Sequence, residues 1–217
     1  AWNLASTPYE DSNPKFPEAE KVNDIAYGKN RALLAWYTVD GIFTRKSSSS
    51  RPRHLTNDDL SNHYTRGVSY KEIFPNKELG TNDNTTLPVL NLAFYPNERG
   101  PYNLDAENVN SDGTLGNPEK RWGGVMRKIE PSDLESANYE YIEFWLLDPY
   151  LEDETAEGGD LYFNLGEISE DILKDERKFF ENGMPVDGDM SKVDTTVWGK
   201  VPRTQSTGYA FDAQNRE

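Results

Sequence analysis

A mainly β fold is predicted, an antiparallel β-sandwich of jelly-roll type with one or two short helices and long polar loops. Three observations lead there. The apolar runs are short and strand-like, and the run at 139–147 alternates in two-residue steps. Clusters of Gly, Pro, Asn and Asp separate them. Only one short segment carries helix-start signals, with Ser169 ahead of Glu170 and Asp171.

In chain order, residues 1–30 are rich in Pro, Asn, Asp and Glu and are predicted to be irregular. The first strand is read at 32–39, apolar on both faces, with a continuation past Asp40-Gly41 to Phe43 as the alternative. Residues 45–66 form a polar loop, and 87–95 the next strand, ended by Pro and Gly at 96–101. The run 122–129 is strand-like, and its paired Gly123 and Gly124 indicate a bulge or a close backbone approach. In 139–147, Tyr139, Tyr141, Glu143, Trp145 and Leu147 share one face. Together with 160–165 this reads as a long hairpin. A short helix follows Ser169, with Ile172, Leu173, Phe179 and Phe180 as its apolar face and Asn182-Gly183 as its stop. A last strand is read at 195–201. The predicted organisation is an irregular segment 1–30, one sandwich domain 31–201 and a polar tail 202–217.

Composition sharpens this. Leu, Ile, Val and Phe make up about a fifth of the 217 residues, which is low for a folded chain. Five Trp and twelve Tyr add large rings, so the core is expected to be aromatic. No run of ~18 apolar residues is present, so no transmembrane helix is predicted. There is no Cys, which removes disulfides, thiol nucleophiles and Cys-ligated zinc. The net charge of −15 argues against binding to nucleic-acid phosphates. The stretch 130–194 holds 20 acidic and 4 basic residues and so carries essentially all of that charge. The opening Ala1-Trp2-Asn3-Leu4 has neither a charged leader nor an apolar core, as expected where a signal has been removed or a longer protein has been cut.

Chemistry is thinly supported. His54 and His63 both lie in polar loop sequence, and no zinc-protease, nucleophile-elbow or phosphate-loop motif occurs. Glu140, Glu143 and Asp160 are the carboxylates a glycosidase-like pair would draw on, with solvent-facing side chains as the bland reading. Asn108, Asn110, Asp112 and Glu119, with Gly113, nearly match a calcium loop, and Ca2+ is the one cofactor the sequence suggests. Asn stands where that loop begins with Asp, and an ordinary Asn/Asp/Gly turn is the plainer reading. Trp122, Tyr139, Tyr141 and Trp145 suit a stacking platform for sugars, with burial in the core as the alternative.

Several segments are similar to a known family. They are Arg31 to Tyr37 (RALLAWY), Glu98 to Asn103 (ERGPYN), Arg121 to Arg127 (RWGGVMR), Tyr141 to Pro149 (YIEFWLLDP) and Gly159 to Leu173 (GDLYFNLGEISEDIL), the last continuing into 180–183. In this order they resemble the SprA/Sov family, most firmly over 87–183. That family forms the outer-membrane translocon of the Bacteroidetes type IX secretion system and supports gliding motility. The resemblance implies one non-enzymatic, soluble domain of such a protein, acting in pore capping or gating or in contact with partners and cargo. Its expected partners are other domains of the same translocon, secretion subunits and cargo, with no nucleic acid and no membrane span in this stretch. Its expected place is the surface side of the outer membrane, with the periplasmic side as the alternative. The family supplies no catalytic residue to carry over. A carbohydrate-binding module of a cell-surface protein is the rival reading.

Overall fold

Among the described residues of a computed structural model, the regular structure is three two-stranded ladders and a single helical turn. The structure describes residues 2–9, 15–44, 49, 51–130, 134–136, 138–151, 153–166, 168–176 and 189–203. The strands are β1 (Asn3–Leu4), β2 (Ala32–Tyr37), β3 (Asn91–Arg99), β4 (Val125–Met126), β5 (Val193–Thr196) and β6 (Gly199–Pro202). Helix α1 spans Tyr70–Ile73, capped by the Ser69 hydroxyl, which accepts from the Lys71 N–H. Six further 3-10 turns connect them. The fold is β-rich and mostly non-helical, as predicted. Among the described residues, no helix is long and apolar enough to cross a membrane.

The pairing is local in one ladder and long-range in two. β1 pairs antiparallel with β4, Asn3 opposite Met126 and Leu4 opposite Val125. β5 and β6 form an antiparallel hairpin. β2 pairs with β3: the Gly100 N–H donates to the Arg31 carbonyl at 3.2 Å, and Asn91 Nδ2 donates to the Tyr37 carbonyl at 3.3 Å. The chain divides into two compact units, one of Ala1–Leu34, Phe94–Asn138 and Leu161–Glu217, the other of Ala35–Ala93 and Tyr139–Asp160.

The first unit is organised by small residues. A Cβ at Gly100 would overlap the Ala32 carbonyl, and one at Gly123 would lie 2.7 Å from the Leu34 Cβ. A Cβ at Gly124 would sit 3.2 Å from that of Ala5. The close approach predicted for the paired glycines is therefore present. Segment 1–30, predicted irregular, supplies β1 and two 3-10 turns, and buries Glu18, Ala19 and Tyr27.

Other expectations need correction. The aromatic core is absent from the described residues: Ala19, Tyr27, Ala32, Leu60, Leu115, Ile172, Leu173 and Val193 are the buried hydrophobics, with Tyr27 the one ring. Residues 139–147 and 160–165 are not strands. Their apolar residues fall on both faces, a pattern that needs cover from two sides and a neighbouring ladder; Tyr141 is 79% exposed and Trp145 73%. The strand read at 87–95 starts later and runs on through Pro96 to Arg99. The single strand read at 195–201 is a hairpin, turned where Gly199 takes a φ of +117°.

The helix after Ser169 does not form over 169–176. The Ser169 hydroxyl accepts from the Asp171 N–H as a cap would, at 3.1 Å. The Asp171 carboxylate then accepts from the Asp175 and Glu176 amides, competing with helical carbonyls. Lys174 and Glu176 have positive φ, which stops propagation. Ile172 and Leu173 are buried nonetheless. Phe179, Phe180, Asn182, Gly183 and the tail beyond Arg203 lie outside the described residues.

Candidate functional site

Within the first unit, buried polar groups are gathered around two arginines. Arg121 and Asp105 form an ion pair at 3.0 Å, their side chains 2% and 4% exposed. The guanidinium also donates to the carbonyls of Gly116, Lys29 and Asn108. Asp105 further accepts from the Glu107 and Asn108 amides at 3.0 and 3.2 Å. Burial pushes the Asp105 carboxyl up, but the bonds from Glu107, Asn108 and Arg121 outweigh it and hold the group below the usual carboxylate range. Asn103 completes the knot, its Nδ2 donating to the Lys29 and Arg31 carbonyls at 3.0 and 2.6 Å.

Arg31 is 1% exposed, and its Nη1 donates to the Ala5 carbonyl at 2.6 Å. Its guanidinium lies 4.7 Å from the Trp122 ring centroid. Burial lowers its pKa to about 10, opposed by Tyr27 and Glu18, so it stays charged at neutral pH. Glu18 accepts from Trp122 Nε1 and from Asn30 Nδ2, both at 2.9 Å. Phe16 meets the Trp122 ring edge-on at 5.5 Å. Of the residues proposed for sugar stacking, Trp122 is therefore half-buried, with Arg31 over its face.

The calcium-like loop is a tight turn with its own bonds. Val109 bridges Leu115, and the Gly116 N–H donates to the Asn108 carbonyl at 2.8 Å. The Thr114 hydroxyl and amide donate to Asp112 Oδ1 at 2.7 and 3.0 Å and hold its carboxyl below the usual range. Asn110 Nδ2 donates to the Thr114 hydroxyl, and Asn108 Oδ1 accepts from Asn117. Glu119 lies exposed in the 3-10 turn Pro118–Lys120. Gly113, at a φ of +89°, permits the reversal. Among the described residues no three His, Asp or Glu side chains gather as a metal site would. Since the loop's own bonds account for its Asn, Asp and Gly, thermal unfolding is expected at the same midpoint with and without EDTA; a fall restored by calcium would assign an ion here.

In the second unit, Tyr139, Tyr141 and Trp145 are 60%, 79% and 73% exposed. They share one stretch with exposed Ile142, Phe144 and Leu146. The stretch is tied at its C-terminal end. His63 Nε2 meets the Asp148 carbonyl at 2.9 Å, and the Tyr64 hydroxyl donates to the Pro149 carbonyl at 2.8 Å. Glu140, Glu143 and Asp160 are exposed. A polar hollow of about 630 Å³ in the same unit is lined by Leu60, Arg66, Asp83 and Thr85 among others. Arg66 is paired with Glu72 at 2.6 and 3.0 Å, and Asp83 accepts from the Gly80 N–H.

The buried residues Glu18, Asn103, Asp105 and Arg121 escaped the sequence reading as site residues. A signal was present: Arg31 and Arg121 each directly precede an apolar or glycine-rich run. Compared with protein-family models and with curated proteins, the chain matches none.

Proposed function

We propose that this chain is a non-enzymatic domain of an outer-membrane protein-secretion translocon of the SprA/Sov type. In type IX secretion and gliding motility it would cap or gate the pore, or contact partner subunits and cargo, on the surface side of the membrane. One observation carries this reading. Motif segments far apart in the chain converge within the first unit. Gly100 packs on Ala32, Asn103 binds the Arg31 carbonyl, and Trp122 lies under Arg31. An ordered set of motifs that serves as a structural signature supports a scaffold role better than a catalytic one. In the assembled protein the jelly-roll sandwich would be completed when 139–147 and 160–165 gain neighbouring strands.

The test is capture of the full chain's partners from outer-membrane extract, read by mass spectrometry. Enrichment of secretion subunits or cargo is expected, and their absence overturns the assignment. A carbohydrate-binding module is the second reading, favoured by the exposure of Tyr139, Tyr141 and Trp145. Affinity electrophoresis in polysaccharide gels separates the two. Retardation lost in Trp145→Ala would support glycan binding, and unaltered mobility is expected for a translocon domain.

A further inference from the structure

One turn of the second unit gathers three hydrogen bonds around a single peptide link. Asp148–Pro149 is the one Asp–Pro bond in the 217 residues, and both residues are exposed. His63 Nε2 lies 2.9 Å from the Asp148 carbonyl oxygen. That oxygen can only accept, so the ring nitrogen donates to it. The Tyr64 hydroxyl donates to the next carbonyl, that of Pro149, at 2.8 Å. The Tyr64 ring also meets the His63 ring edge-on, with centroids 5.4 Å apart. The Asp148 carboxylate in turn accepts from the Tyr150 N–H at 2.8 Å.

These contacts bear on one reaction. The bond from Tyr150 folds the Asp148 carboxyl over the backbone that follows it, on the side of its own carbonyl, so an oxygen nucleophile is held near that carbon. Negative charge develops on the carbonyl oxygen when its carbon is attacked, and a donor about 2.7–3.1 Å away stabilises it. The His63 N–H stands at that distance. Proline closes the competing route. After other aspartates the next backbone N–H can attack the side chain and form an imide, but Pro149 has no N–H. Exposure of the turn brings water to the link.

We propose that Asp148–Pro149 is a self-cleavage site, with the Asp148 carboxyl as nucleophile and His63 as the donor to the carbonyl oxygen. The carboxyl oxygen adds to the carbonyl carbon and closes a ring. The C–N bond to Pro149 breaks, and the carboxyl proton goes to the proline nitrogen. The cyclic anhydride left on Asp148 takes up one water and opens to two carboxyls. The products are residues 1–148, ending in aspartic acid, and residues 149–217, beginning with a free proline. The event happens once per chain and stands apart from the function proposed above.

The experiment incubates the full chain in mildly acidic buffer in which it stays folded and follows its intact mass. Two products that meet at Asp148–Pro149 are expected. The same chain unfolded in urea at the same pH should cleave roughly tenfold more slowly, because donor and carboxyl are no longer held in place. His63→Phe, which keeps a ring against Tyr64, should slow the folded chain roughly tenfold, less than the loss of a water-excluded donor, and leave the rate in urea unchanged. Asp148→Ala should abolish cleavage in both states. Equal rates in the folded and unfolded chain, or no products, overturn the proposal. So does cleavage that survives Asp148→Ala, since another nucleophile or a protease is then acting. A His63→Phe chain that keeps the native unfolding midpoint and cleaves at the native rate also overturns it.

Discussion

Arg121→Ala lowers the unfolding free energy by about 3–5 kcal/mol in guanidinium titration, the range for breaking a buried ion pair by removing one partner. The reason is what the substitution leaves behind. Asp105 is 6% exposed and would keep a buried carboxylate without its cation. The carbonyls of Gly116 and Lys29, which now accept from the guanidinium at 2.9 and 2.5 Å, lose that donor as well. Arg121→Lys keeps the charge but not the planar fork, so most of the loss remains. A loss below about 1 kcal/mol, the value of an exposed pair, would contradict the burial seen here.

The same pair sets an acid limb. Burial raises the Asp105 carboxyl, yet the Glu107 and Asn108 amides and Arg121 bring it below the usual range. A carboxyl depressed by folding stabilises the native state above its unfolded pKa, near pH 4, and that stability is lost as pH falls through the folded value. The native chain is thus expected to lose stability below about pH 4. In Arg121→Ala the part due to Asp105 shrinks, because the folded carboxyl moves up towards the unfolded one.

Leu115→Ala costs about 2–5 kcal/mol by the same titration. Leu115 is 1% exposed, and its N–H donates to the Asn97 carbonyl in β3 at 2.7 Å. Truncation leaves a cavity where the 108–116 turn returns to that strand, and the backbone bonds on both sides limit collapse. Leu115→Met, which roughly preserves volume, is expected to cost less than about 1.5 kcal/mol. Arg121 binds the neighbouring Gly116 carbonyl, so the double variant should lose less than the sum of the two. A loss within about 0.5 kcal/mol for Leu115→Ala would place the residue outside the core.

What the sequence discloses follows from how local each signal is. β2 was legible because Ala32–Tyr37 is apolar on both faces and its partner β3 lies within the chain. The Gly123-Gly124 approach is legible because the side chains of Leu34, Phe94 and Ala5 lie so near these glycines that a Cβ would crowd them. The 139–147 run reads as a hairpin strand on the same kind of evidence, but a pattern reports that a segment suits a pleated surface and not that a ladder forms. The polar knot was hidden for another reason. Asn103, Asp105 and Arg121 look like ordinary surface residues in sequence, and their burial depends on contacts with Lys29 and Arg31 more than seventy residues away. The short helix failed on competition, since one Asp side chain took the amides that a helix would have used.

Amide hydrogen exchange across the full chain tests the central claim, that distant segments are held together around Arg31 and Arg121, most directly. The amides of Gly100, Leu115 and Trp122, bonded to the carbonyls of Arg31, Asn97 and Asn30, should exchange slowly. In Arg121→Ala the same three amides should exchange faster, since the knot that joins their segments has lost its central cation. Exchange of these three amides at unprotected rates in the native chain would contradict the account, because the segments would then not be held together.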